Sequence, residues 1–335
     1  DRPTVTDVDL VQGYFAPDFF LGGDVEMDPD RAREAFAARV AEPLGKDVVR
    51  AAADMYALTN SMIADLVRET TVEKGIDPRR FTLAAIGGAA GMHAASYARQ
   101  LDVPEALVPY TASVHSALGL LSTDVVHEYT SVTQLRPPFD RARINDAFAD
   151  LESEARAKLR AEGFDPDEVT LERSIGMRYQ RQVHELLAPV ETEPPLSAAD
   201  LDATVDRFER RYEQRYGAGS AFEEGGVEIR ECRLRAVGAL STPALHEHDL
   251  ADDPIDAAHL GTKEMHFAAA EGRTDADVYE FESLAPGTTV AGPCVVLTPV
   301  TTIVVNPGDV ATVDRYRNVR IDIDVDADGE VTDRD

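Results

Sequence analysis

Phe81-Thr82-Leu83-Ala84-Ala85-Ile86, then Gly87-Gly88-Ala89-Ala90-Gly91, then Met92 to Leu101, then Ala106-Leu107-Val108-Pro109: these four pieces follow one another within thirty residues and decide the fold class. The first and last are short apolar runs, the second is a glycine turn, and the third has helical composition. Strand, turn, helix, strand is a βαβ crossover, which predicts a parallel pair of strands in a sheet buried on both faces.

Working outward, residues 1–30 are loop-rich, and Asp28-Pro29-Asp30 predicts a helix start with Asp28 as N-cap. Met55, Thr59, Met62, Ile63 and Leu66 recur at helical spacing and predict a helix over 47–70 that buries that face. A short helix over 113–121 and a strand over 124–134 follow. Pro137-Pro138 marks the expected domain boundary, which divides the chain into 1–135 and 136–335. Beyond it the pattern predicts helices near 141–162 and 198–215 and strands over 172–190. A strand over 227–240 is predicted to bury Cys232, Leu234 and Ala236 and to expose Arg233 and Arg235. Short strands with glycine and proline turns follow from 263 onward. The fold class is therefore α/β, followed by an α+β, β-rich C-terminal domain.

The formal charge is −29, from 62 acidic and 33 basic residues. Nucleic-acid binders that neutralise phosphates need a basic surface, so this class is excluded, and docking on anionic lipid is disfavoured for the same reason. A hydrophobic share of 44% argues against disorder. Only Lys46, Lys74, Lys158 and Lys263 are lysines, so arginine supplies nearly all the positive charge. An acidic, lysine-poor surface fits a high-salt cytoplasm, where screening relieves self-repulsion. A halophilic source is therefore expected, with an ordinary acidic protein as the alternative. Stability should rise between low and molar salt, as read by thermal unfolding, and indifference to salt would remove the expectation. Two cysteines, Cys232 and Cys294, cannot build a disulfide framework, which fits a reduced cytoplasmic chain. There is no apolar run long enough to span a membrane.

Glycines between strand and helix let the backbone approach a ligand, and the helix start offers free N–H groups. A double glycine is equally explained by tight strand–helix packing. The turn is neither a Walker loop nor the GxGxxG dinucleotide fingerprint. His93, one turn into the helix, could reach a phosphate or a carbonyl, or could be a core histidine. His246-Glu247-His248 with Asp249, Asp252 and Asp253 has metal-ligand types, but lies in a loop with no third ligand fixed by spacing. Asp324, Asp326, Asp328 and Gly329 match the start of a calcium loop. Position 12 falls on Asp335, and a solvated acidic tail is the better reading. Cys232 reads as a buried hydrophobe rather than a nucleophile.

Phe81 to Ala94, Val103-Pro104, Val108-Pro109 and Ser116-Ala-Leu-Gly-Leu120 together resemble the hydantoinase A/5-oxoprolinase family. So do Pro3 to Gly13, Phe20-Leu-Gly-Gly23, Arg178-Tyr179 with Gln182 and Glu185-Leu186, Gly292-Pro293, Thr301-Thr302 and Pro307-Gly308. The resemblance implies part of an actin-like, sugar-kinase-like ATPase domain in residues 1–135 and the family's C-terminal domain in 136–335. It also implies ATP and Mg²⁺ as cofactors. ATP would activate the carbonyl of a cyclic amide or of a small carbonyl compound, and Mg²⁺ would offset the charge on the transferring phosphoryl group. Gly87, Gly88, Ala89, Gly91 and His93 would lie on the adenosine side, with Thr6 and Asp7 as weaker candidates facing the cleft.

The resemblance further implies a hydantoinase B-type partner subunit and a cyclic-amide substrate. The family's two Asp-Gly-rich phosphate hairpins have no counterpart here, so the chain is expected to be the latter part of a longer protein whose N-terminal segment completes the nucleotide site. Catalytic residues are not assigned. The alternatives are a carboxylase subunit of the acetone carboxylase type and a non-catalytic remnant.

Overall fold

The parallel pair expected from residues 81–109 forms, with Leu83 opposite Ala106 and Ala84 opposite Leu107. The computed structural model describes residues 2–221, 225–251, 255–267 and 272–325. The chain folds as two compact units: residues 1–119 with 244–335, and residues 120–243. The boundary at Pro137-Pro138 would group 244–335 with the second half. In space that segment instead supplies strands to the first unit.

In the first unit, strands Leu83–Ala84, Glu105–Val108, Val319–Asp322, Val310–Val313 and Thr289–Ala291 lie in that order in one sheet. Only the first two are parallel. The Leu83–Ala84 strand is a two-residue edge, and its flanking residues Phe81 and Ile86 are exposed, so the sheet is not buried on both faces there. The strand is short because the chain leaves the sheet at Ile86 to make the glycine turn. A second sheet runs Thr302–Val305, Cys294–Leu297, Gly272–Glu280, His259–Phe267. The Ala90–Gln100 helix packs between the unit's two apolar clusters: Ala94, Ala95 and Ala98 face one, and Met92 faces the other.

The helix expected over 47–70 spans Val48–Thr70, capped by Asp47, but it buries a different face. Ala52, Tyr56, Asn60 and Ala64 point inward, while Met62 and Leu66 are more than 60% exposed. The alanines allow close helix approach, and Tyr56 and Asn60 find hydrogen-bond partners inside, so small and polar residues occupy the core side.

The second unit is a four-stranded antiparallel sheet, Val125–Leu135, Val227–Gly238, Val169–Tyr179 and Leu186–Val190 in spatial order, with helices Arg141–Ala161 and Ala198–Tyr216. Its core includes Ile175, Met177, Tyr179, Phe208, Cys232 and Leu234. Cys232 is fully buried and its thiol is pushed up to about 12 by burial, so it is packed as a hydrophobe. Arg233 and Arg235 project from the other face and pair with Glu231 and Glu172.

Candidate functional site

The glycine turn begins where the Leu83–Ala84 strand ends. Gly87 has φ +118°, a conformation that side-chain-bearing residues rarely adopt, and its N–H donates to the Ala112 carbonyl at 2.8 Å. Gly88 differs. A Cβ built there would lie 3.7 Å from the Val300 carbonyl oxygen, an ordinary contact. Nothing in the local packing therefore demands glycine at 88, and Gly88 and Ala89 are exposed. Gly91 is a packing glycine: its Cβ would sit 2.7 Å from the Thr302 carbonyl oxygen and 3.2 Å from Ile303 Cγ1.

Beside the turn lies a pocket of about 260 Å³, close to the ~300 Å³ lower end of small-molecule sites. Thr301 connects the two, since it lines the pocket and its hydroxyl donates to the Gly88 carbonyl at 2.7 Å. The pocket opens past Val108, at the carboxyl end of the parallel pair, the end where open α/β sheets bind ligands. Tyr110 and Phe281 form an aromatic wall with centroids 6.0 Å apart and planes 28° apart. The Arg317 guanidinium lies 4.8 Å from the Phe281 centroid and 5.6 Å from that of Tyr110. Arg317 is also paired with Glu282 at 3.2 Å. A flat aromatic wall backed by a planar cation suits a flat heteroaromatic ring.

His93 does not line this pocket. It is 4% exposed, stacks on Tyr56 (4.9 Å, 23°), and its Nδ1 lies 3.0 Å from Asn60 Oδ1. Its Nε2 lies 3.5 Å from Asp9 Oδ2. Asp9 is 1% exposed, and burial raises its carboxyl above the usual range while the His93 ring pulls it back. Asp7 holds its own helix start: its carboxylate accepts from the Thr4 N–H at 2.6 Å and from the Thr4 hydroxyl at 2.9 Å. Thr6 is half-buried in the same turn. It is thus Asp9, on the inner side of that helix, that meets His93.

Gly87 and Gly88 are tied through Ala112 and Thr301 to the rim of a pocket that no local pattern in the sequence signals, while Ala89 is exposed beside them. Tyr110, Phe281, Thr301 and Arg317 come from segments up to two hundred residues apart, and only Thr301 falls within a string quoted for the family. Among the described residues, no three His, Cys, Asp or Glu side chains converge as a metal-holding group. In the 246–249 loop, His246 and His248 pack edge to face and Glu247 pairs with Arg315. Asp252, Asp253, Asp326, Asp328, Gly329 and Asp335 lie outside the described residues. Among the described residues, no helix is long and apolar enough to cross a membrane. The residues present fit the adenosine end of a nucleotide, where close backbone approach and a ring-sized apolar wall are needed.

Two family models match the chain in sequence: hydantoinase/oxoprolinase over residues 1–129 and the hydantoinase/oxoprolinase C-terminal domain over 139–322. The chain belongs to the hydantoinase/oxoprolinase family. The acetone carboxylase beta subunit of Xanthobacter autotrophicus is 31% identical over 94% of this chain and 45% of its own length. A nucleotide-free structure from work on ATP-dependent acetone carboxylation superposes with a TM-score of 0.89 at 29% identity, over 95% of this chain and 46% of that one. The ATP-dependent caprolactamase of Pseudomonas jessenii superposes with a TM-score of 0.69 at 28% identity, over 96% and 47%. The chain thus spans about half the length of these relatives.

Proposed function

We propose that this chain carries the adenosine side of an ATP-dependent, cytoplasmic enzyme that opens a cyclic amide such as a hydantoin or 5-oxoproline. A segment bearing the phosphate hairpins and Mg²⁺ would complete the nucleotide site, and a hydantoinase B-type subunit would be the partner. Gly87, Gly88 and Ala89 meet the adenosine, the Tyr110–Phe281–Arg317 pocket takes the base, and Gly91 and His93 hold the helix behind the turn. Thr6 and Asp7 begin the helix that backs His93.

One observation carries the reading: glycine stands at 88, beside a ring-sized pocket, although the packing would accept a Cβ there. A glycine that the fold does not require is explained by a ligand that approaches the backbone closely. Replacing Gly88 with valine separates the two roles. Gly88→Ala, whose Cβ meets only an ordinary contact, serves as the stability control and should change the melting temperature by no more than a few degrees. With Gly88→Val, ATP affinity of the assembled enzyme, measured by calorimetry, should fall about tenfold or more, which corresponds to ~1.4 kcal/mol or more. Unchanged affinity would remove the adenosine assignment.

The closer superposition on the acetone carboxylase structure than on caprolactamase supports a second reading, a carboxylase subunit. ATP turnover by the assembled enzyme with 5-oxoproline, with hydantoins, or with acetone plus bicarbonate distinguishes the two.

A further inference from the structure

Four buried polar side chains from three helices meet behind the glycine turn: Asp9 from Val5–Gln12, Tyr56 and Asn60 from Val48–Thr70, and His93 from Ala90–Gln100. Their hydrogen-bond directions determine where protons sit. The Asn60 amide nitrogen donates to the Tyr56 carbonyl at 3.0 Å, so the Asn60 oxygen is the atom turned toward His93. An oxygen there can only accept, so His93 Nδ1 carries a hydrogen. That leaves Nε2 facing the Asp9 carboxylate at 3.5 Å, with both groups more than 95% buried.

If no proton lay between them, a nitrogen lone pair would face a carboxylate lone pair away from water. Two uncompensated acceptors, one of them charged, are costly in such a place. The Tyr56 hydroxyl cannot relieve them, because it donates to the Met92 carbonyl at 2.7 Å and contacts Ser96 Oγ at 3.0 Å. The Tyr14 hydroxyl donates to the His266 carbonyl at 2.6 Å. Tyr14 and Tyr56 are the other titratable groups facing the pair, and burial keeps both phenols neutral across the working range.

We propose that Asp9 and His93 together hold one proton, and that this trapped proton positions the Gly87-Gly88 turn by tying the first helix to the helix that leaves the turn. The proton resides either on Nε2, giving imidazolium and carboxylate, or on Oδ2, giving neutral imidazole and carboxylic acid. Both forms supply the one hydrogen the contact needs. His93 is then a positioning residue, and the inference holds whether or not the turn meets a nucleotide.

Asp9→Asn tests this with little change of shape. The amide keeps a donor toward Nε2 but removes the titrating group. With one proton on the folded pair, the wild-type chain binds one more proton in the folded state than the variant does. An unfolded aspartate binds almost none above pH 5. The ratio of wild-type to variant folding equilibrium constants should therefore fall about tenfold per pH unit from pH 5 upward, until the pair gives up its proton. This is the sign required of a carboxyl whose folded pKa is raised: its stabilisation is lost as pH rises.

The same titration is followed by NMR on the whole chain, with labelled histidine and aspartate. His93 Nε2 and the Asp9 carboxyl carbon should report one proton between them at pH 7, and the Gly87 and Gly88 amides should titrate with them in the wild type only. A flat stability ratio, zero or two protons on the pair, or glycine amides indifferent to its titration would each overturn the proposal. If Asp9→Asn does not fold, the proton count on the unsubstituted chain decides alone.

Discussion

Replacing Gly292 with alanine should cost the first unit about 3 kcal/mol or more, and should be seen as loss of soluble protein or a large fall in the urea midpoint. The added Cβ would lie 2.0 Å from the Asn306 carbonyl oxygen, 2.7 Å from its carbon and 2.8 Å from the Val305 carbonyl oxygen. These are backbone atoms and cannot swing aside. Val305 is paired with Cys294 in the adjacent strand, and Gly292 itself donates to the Asp309 carbonyl at 2.9 Å. Relief of the clash would break one of these. Gly88→Ala, by contrast, should leave the midpoint nearly unchanged, because its Cβ meets only an ordinary contact.

Arg99→Met should destabilise the chain by about 3–5 kcal/mol, again read from urea unfolding. Arg99 pairs with Asp309, whose side chain is fully buried. Asp309 also accepts from the Asp324 N–H at 2.9 Å and from Asn306 at 3.3 Å. Burial raises the Asp309 carboxyl, while the Asp324 amide, Arg99 and Asn306 lower it. Without Arg99 the buried charge is uncompensated, and the carboxyl relieves this by taking a proton. The variant should therefore regain stability as pH falls and lose it as pH rises through the raised folded value. Adding Asp309→Asn to Arg99→Met should recover much of the loss and remove this pH dependence, because it eliminates the stranded charge.

Both effects belong to the frame behind the glycine turn, and that frame was only partly legible in the sequence. The crossover was legible because strand, glycine turn and helix are consecutive and carry local signals. The strands that extend its sheet, Val319–Asp322, Val310–Val313 and Thr289–Ala291, lie about two hundred residues away. Periodicity within a window carries no information about such pairing. That distance also explains why residues 244–335 complete the first unit.

The Val48–Thr70 helix shows a different limit. Its period is clear and points the large apolar residues inward, whereas alanines with hydrogen-bonded Tyr56 and Asn60 occupy the core side. Among 62 acidic residues, composition does not single out Asp9 as one of the few that are buried among the described residues. The location of the turn could be read directly, whereas the aromatic wall could not, because Tyr110, Phe281 and Arg317 meet only through the fold.

The adenosine assignment is tested most directly by photoaffinity labelling of the assembled enzyme with an azido-adenine analogue of ATP, followed by peptide mapping. Label is expected on residues 108–114, around Phe281, or on 298–303, competed away by ATP and lost with Gly88→Val. Label confined to other parts of the assembly, with these segments unmodified, would contradict it.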